Sequence, residues 1–396
     1  MAKLSTPSLA LYVHFPWCVR KCPYCDFNSH TLRGELPQER YIEALERDID
    51  TQAGHVRGRR LISVFLGGGT PSLFDPEAIA RVLAAARLNF AVEEALEVTL
   101  EANPGTIERG RFAEYAAAGV NRVSLGAQSF DAAALQALGR IHSPADTVRA
   151  AQELHAAGIA NFNLDLMYAL PGQTVADALL DIEKALALAP AHLSHYQLTI
   201  EPGTVFAASP PTLPSDDAAA AMLAECRDRL SAAGLVQYEV SAYAREARQC
   251  RHNLNYWAFG DYLGVGAGAH GKITFADSNS VVRTTQLREP RRYLAADPRL
   301  LEHKPIAAQD LPFEFMLNAL RLTKGFDQRH FSAHTGLAWE TIELAMQQLG
   351  RRGLIESHGI WHRPTARGLH FLNDALLAFL PEKPSAPRFS ALSTGS

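Results

Sequence analysis

The sequence predicts an α/β protein: a parallel (β/α)6 partial barrel of the TIM type, followed by a small winged-helix-like α+β domain. Six strand-like runs alternate with helix-like segments over the first 200 residues. Polar and glycine-rich residues collect just after those strands, and the texture changes near residue 310. Alternation of this kind implies a parallel sheet, and in parallel α/β folds the edge at the strand C-termini carries the active site.

The strand-like runs are LALYVHF (9–15), LISVFL (61–66), LEVTLEA (96–102), VNRVSLGA (120–127), FNLDLMYA (162–169) and LSHYQLTI (193–200). They are rich in β-branched and aromatic residues and end in Gly, Pro or polar clusters. Among the intervening helices the one after Thr174 is clearest, because Val175, Leu179, Ile182 and Leu186 form one apolar face. The polar clusters after the strands are residues 18–25, 67–71, 101–105, Gln128 and 170–172.

A Pro-rich connection (201–213) leads to a helix over 215–233 and a strand over 235–242. Residues 249–271, rich in Gly and aromatic side chains, fit neither period. Beyond 310 the pattern gives helices over 312–322, 328–335 and 338–350, strands over 353–357 and 359–363, and a closing helix over 366–379. The expected organisation is a core at 1–245, a connecting segment at 246–308, a small domain at 309–380 and a disordered tail at 381–396.

Bulk properties exclude several classes. The chain has 396 residues, 47% of them hydrophobic, enough for a sizeable core. A net charge of −4, from 38 basic and 42 acidic residues, gives no general reason to bind nucleic acid or anionic membrane. No apolar run reaches the roughly 18 residues of a membrane span, and the N-terminus lacks the pattern of a signal peptide. Five cysteines, an odd number in such a chain, point to a reducing, cytoplasmic setting without a disulfide framework. In the small domain, Glu340 and Glu343 offset Arg351 and Arg352, a weak balance for a DNA-reading helix.

The run HFPWCVRKCPYCDFNSH spaces Cys18, Cys22 and Cys25 as C-x3-C-x2-C. Thiolates are soft ligands that suit iron–sulfur clusters and zinc. Zinc would want a fourth ligand, for which His14 or His30 is near. A ferredoxin-type cluster would want a fourth cysteine, but Cys226 and Cys250 are far away in sequence. Three thiolates on a [4Fe–4S] cluster leave one iron open, and an open position marks reactive metal sites. A non-redox metal-binding interaction module is the competing reading of the same ligands.

Gly67-Gly68-Gly69-Thr70-Pro71 can bring backbone groups close to a ligand and lacks the Gly-Lys-Ser/Thr ending of a phosphate loop. Glu101 ends the next strand and is aimed at the same edge, against the usual surface or capping role of a Glu. Asp165, between Leu164 and Leu166, either enters the barrel mouth or is a buried structural carboxylate. Gln128 and Arg140 occupy matching places.

The cysteine motif resembles that of the radical S-adenosylmethionine superfamily. The resemblance implies that the open iron chelates the amino and carboxylate groups of S-adenosylmethionine, and that electron transfer into the sulfonium releases a 5′-deoxyadenosyl radical. The phrases YVHFPWC, GGGTPS, EANP, GAQSF, DLMYALPGQT and YQLTIEPGT are similar to those of the oxygen-independent coproporphyrinogen III dehydrogenase group of porphyrin biosynthesis, over nearly the whole chain. Carried onto this sequence, Tyr12, Tyr24, Gly68, Gly69, Thr70, Glu101, Gln128, Arg140 and Asp165 would be the S-adenosylmethionine contacts.

Two features depart from the true dehydrogenase. That enzyme has a fourth Cys two residues after the third, where this chain has Phe27, and an N-terminal extension before the cluster. Residues 251–257, RHNLNYW, instead resemble the mark of the HemW-like branch, regarded as chaperones that bind heme and pass it to respiratory proteins. The resemblance implies heme as cargo, with His252 as a heme ligand, and heme-accepting respiratory proteins as partners. It argues against coproporphyrinogen dehydrogenase activity. A His can ligate heme iron and flanking Tyr and Trp can stack on a porphyrin, although a His that merely orients a loop is a common alternative. A transient visit to a membrane surface and a homodimer are both compatible with the sequence.

Overall fold

The computed structural model describes residues 3–105, 110–296 and 302–381. The tail expected over 381–396 lies, beyond Pro381, outside the described residues. Six strands stand where the alternation places them: β1 Leu9–Phe15, β2 Arg60–Gly68, β3 Ala91–Ala102, β4 Arg122–Gln128, β5 Phe162–Tyr168 and β6 His192–Gln197. They pair in parallel in sequence order.

The returning helices include α1 Gln38–Ala53, α2 Pro76–Asn89, α3 Phe112–Ala118, α4 Pro144–Ala156 and α5 Val175–Ala187. Helix α1 buries Tyr41, Ile42, Leu45 and Ile49, the stripe a helix lays on a sheet. Helices α4 and α5 each start with a complete capping box, Ser143 with Asp146 and Thr174 with Asp177. Each box satisfies backbone N–H groups left open at the first turn.

The sheet runs well past the six expected strands. After α6 Asp216–Ala232, the strand expected over 235–242 is a hairpin, β7 Val236–Glu239 and β8 Ala242–Ala244. Gln237 Nε2 donates to the Val240 carbonyl at 3.0 Å, and the Glu239 carboxylate accepts from Ser241 N at 3.1 Å, which turns the chain there. Residues 246–308, expected as a connection, supply helix α7 Arg251–Trp257 and the strands β9 Asp261–Val265, β10 His270–Phe275, β11 Ser280–Thr285 and β12 Glu302–Pro305.

Strand β9 lies parallel to β1 on the side away from β2. The twelve-stranded order is β12-β11-β10-β9-β1-β2-β3-β4-β5-β6-β8-β7, an open sheet with two edges. All five residues of β9 are buried, so the strand shows no alternation for a sequence reading to detect. Asp261, its first residue, is buried against Lys272 Nζ at 2.7 Å and Arg59 at 2.8 Å.

The C-terminal region has helices α8 Leu311–Ala319, α9 Gln328–Thr335 and α10 Glu340–Arg351 beside a three-stranded sheet ordered Phe326–Asp327, Trp361–Pro364, Ile355–His358. Phe315, Phe331 and Leu349 centre its core, which is continuous with Phe259 and Val281 of the barrel. The helix expected over 366–379 is split at Phe371 into Ala366–His370, Leu372–Leu376 and a 3-10 turn. Gly368 docks the first piece so tightly on the Leu354 carbonyl that an added Cβ would lie 1.8 Å from it, while Ala375 and Phe379 turn into the core. Among the described residues no helix is long and apolar enough to cross a membrane.

Candidate cluster site and the adjoining aromatic cavity

The loop after β1 carries the three cysteines. Two short strands, Trp17–Cys18 and His30–Thr31, pair in parallel and close it, with Leu32 N donating to the Cys18 carbonyl at 2.8 Å. Cys18, Cys22 and Cys25 are free thiols, each half-buried, and all three line a cavity of about 330 Å3 at the C-terminal edge of the sheet. Among the described residues no three His, Cys, Asp or Glu side chains gather tightly enough to hold one metal ion. Three thiols around one cavity suit an iron–sulfur cluster.

Tyr24, Gly68, Gly69, Thr70, Glu101, Gln128, Arg140 and Asp165 line the same cavity. The glycines are there because nothing larger fits. Gly69 N donates to the Phe15 carbonyl at 2.7 Å, and an added Cβ would lie 2.6 Å from the Trp17 carbonyl. Gly68 has φ +113°, and a Cβ on it would lie 2.4 Å from the His14 ring. Its N–H donates to Glu101 Oε2 at 2.8 Å. Burial, reinforced by the nearby Asp165 charge, pushes the Glu101 carboxyl up to about 7, against the opposing pull of that N–H.

Asp165 accepts from Ser124 Oγ at 3.1 Å and Asn163 Nδ2 at 2.8 Å, and burial raises its pKa. Leu164 and Leu166 on either side are fully buried in the opposite direction. It is thus a cavity carboxylate held by side chains rather than by backbone. Arg140 reaches across to Asn103 Oδ1 at 2.5 Å and the Gly126 carbonyl at 2.8 Å, with Nη1 3.5 Å from Cys22 Sγ. Gln128 adopts φ +66°, a left-handed conformation costly for a residue with a Cβ, and accepts from Tyr196 OH at 2.6 Å. A cationic guanidinium, two carboxylates and open backbone groups beside three thiols can bind a zwitterionic, hydroxylated ligand.

Tyr12 stands elsewhere. It lines a second cavity of about 680 Å3, together with His252, Phe65, Tyr256, Trp257 and Tyr262. Asp26, Phe27, Gly68 and Glu101 line both cavities, so the two share a wall. Phe27 is 59% exposed, unusual for so apolar a side chain.

His252 is on α7, with Nδ1 3.2 Å from Ser63 Oγ and its ring 4.9 Å from that of Phe65. Burial, aided by the charge of Arg122, lowers its pKa to about 3, so the imidazole is neutral. The helix is held at both ends. Glu97 accepts from Arg251 N at 3.0 Å and His252 N at 3.1 Å, and the Cys250 thiol donates to it at 3.5 Å. At the other end His330 Nε2 donates to the Ala258 carbonyl at 2.8 Å, and the Arg321 guanidinium lies 4.3 Å from the Trp257 ring. The small domain therefore grips the helix that carries His252.

Several of these residues escape local patterns. Glu97 shares a strand face with Glu101, so alternation alone could have pointed to it. Asn103 sits inside the EANP phrase. Ser63 and Tyr196 carry no local signal, because their partners are distant in sequence.

Residues 12–185 match the Radical SAM superfamily, and residues 306–371 match the HemN C-terminal domain. The heme chaperone HemW of Escherichia coli (strain K12) is 46% identical over 383 residues, covering 96% of this chain and 100% of that protein. The chain belongs to the HemW family. Another relative, the mouse mitochondrial radical S-adenosyl methionine domain-containing protein 1, is 36% identical over 96% of this chain and 90% of its own. Among solved structures, coproporphyrinogen III oxidase (HemN) from Escherichia coli, a radical SAM enzyme, superposes with a TM-score of 0.79 at 22% identity. The match covers 94% of this chain and 90% of that one, and this likeness concerns the fold. A radical SAM domain in a HemW-family chain implies a [4Fe–4S] cluster and S-adenosylmethionine, and the thiol loop beside the glycine turn suits both.

Proposed function

We propose that this protein is a heme chaperone that carries heme in the aromatic cavity and passes it to respiratory heme proteins. Cys18, Cys22 and Cys25 would hold the [4Fe–4S] cluster. Tyr24, Gly68, Gly69, Thr70, Glu101, Gln128, Arg140 and Asp165 would surround S-adenosylmethionine, and Tyr12 would approach it from the adjoining cavity. When bound, a reduced cluster would supply an electron to the sulfonium of S-adenosylmethionine.

The observation that carries the reading is the second cavity. It is within the size range of sites for drug-sized ligands. Its aromatic walls offer flat apolar surface to a macrocycle, and His252 is neutral, the state in which an imidazole can ligate iron. The 46% identity to a heme chaperone supports the same conclusion.

The competing reading is oxidative decarboxylation of coproporphyrinogen III propionates. Phe27, standing where that enzyme has a fourth Cys, speaks against it. Anaerobic incubation of the reconstituted protein with coproporphyrinogen III should leave the substrate unchanged, while heme titration should give a Soret band that shifts in His252→Ala. Protoporphyrinogen IX as product would overturn the chaperone reading. A Soret band indifferent to His252→Ala would remove His252 from the site.

A further inference from the structure

Charge is unevenly distributed around the aromatic cavity. The wall shared with the cluster cavity contains the carboxylates Asp26 and Glu101. The unshared wall contains Gly268, His270 and Arg288, and Arg288 is the single Arg or Lys in the lining. Its guanidinium has no hydrogen-bond or ion-pair partner among the described residues. The neighbouring Glu289 is engaged elsewhere, accepting from Arg291 N and Arg292 N at 3.1 and 2.7 Å.

The position of Arg288 is fixed through its backbone. Asn28 Nδ2, three residues after Cys25, donates to the carbonyls of Ala267 and Arg288 at 2.9 Å each. Gly268 makes room for that clamp: its φ is +80°, and an added Cβ would lie 2.1 Å from Asn28 Nδ2. The cysteine loop and the unshared wall are thus tied together, with one exposed cation, Arg288, in the cavity lining. A carboxylate brought into this cavity is attracted to Arg288, which can grip it through two parallel N–H groups.

We propose that Arg288 is the carboxylate-reading residue of this cavity, pairing with the acidic side chains of a tetrapyrrole and so fixing which edge of the macrocycle faces outward. The assignment rests on the heme reading of the cavity. It makes Arg288 a specificity residue for ligands that are both planar and acidic, and it directs the propionates away from the cluster.

Heme and heme dimethyl ester, which lacks the free carboxylates, distinguish the two claims. Each is titrated anaerobically into the cluster-loaded wild type, Arg288→Gln and Arg288→Lys, with the Soret band as readout. The wild type should bind the free acid roughly five- to tenfold more tightly than the ester. Arg288→Gln should bind both alike with an unchanged Soret maximum, and Arg288→Lys should keep part of the preference. A wild-type preference retained in Arg288→Gln, beside a spectrum that does respond to His252→Ala, overturns the role of Arg288 alone. A Soret band and an affinity that neither His252→Ala nor Arg288→Gln changes overturn the cavity assignment and this proposal with it.

Discussion

The cluster cavity is small, about 330 Å3, and is walled by the cysteine loop and by backbone and side chains from the C-terminal ends of β2 to β6. The cavity next to it is twice as large, about 680 Å3, and aromatic, and its characteristic residues come from β1, β2, α7 and the segment running from β9 past β11. The first is assembled by consecutive βα units, each delivering one short polar phrase to a common edge. The second exists only because β9 returns to pair with β1 and α7 docks beneath β2. A ligand site built from repeated local units and one built from distant pairings therefore meet at a wall made of Asp26, Phe27, Gly68 and Glu101.

The sharpest way to separate the two is to disable one at a time. Cys22→Ser should abolish the cluster, because a hard hydroxyl replaces a soft thiolate. The far-UV circular dichroism and the heme affinity should remain, since the barrel core does not depend on a metal staple. Iron and sulfide analysis checks the first expectation, and loss of folded structure in Cys22→Ser would contradict the second.

Glu97→Ala is the converse. It leaves two backbone N–H groups at the start of α7 without their acceptor and deprives the fully buried Arg122, which interacts with both Glu97 and Cys250, of a counter-charge. The unfolding free energy should fall by about 3 kcal/mol. Heme binding should weaken, with iron content unchanged. Denaturant titration measures the first effect, and a loss well under about 1 kcal/mol would mean that α7 is held by packing alone.

The smallest expected effect lies in the shared wall. The folded-state pKa of Glu101, about 7, is above the ordinary glutamate value of 4.5. Its contribution to stability is therefore complete below pH 4.5 and is lost as pH rises through about 7. Without S-adenosylmethionine the wild type should lose roughly 2 kcal/mol from this group across that window, the half-buried carboxyl keeping some contact with cavity solvent. Glu101→Gln should flatten that part of the pH–stability profile. Parallel profiles for the two proteins would remove Glu101 from that role.

The six parallel strands and the cysteine loop are legible in the chain because their signals are short-ranged. β-Branched runs, Gly and Pro punctuation, capping boxes and C-x3-C-x2-C spacing all act within a few residues. The cluster-side residues were legible for the same reason, each lying just past a strand end. Strand β9 was not. Its residues are buried on both faces, and its pairing, Leu9 with Asp261, joins positions that no periodicity relates. The hairpin of β7 and β8 was hidden by a turn made by side chains rather than by Gly or Asn.

By itself the sequence determined a parallel α/β core, three cysteines spaced as C-x3-C-x2-C, and a histidine set in an aromatic phrase. Only the tertiary structure decided that His252 is neutral, that Tyr12 belongs to the second cavity, and that Glu97 and His330 hold the two ends of α7. It alone brought Arg288 into one cavity lining with Asp26 and Glu101. The physical reason is that protonation, burial and charge balance depend on what surrounds a group in space, and here those surroundings come from elements far apart along the chain.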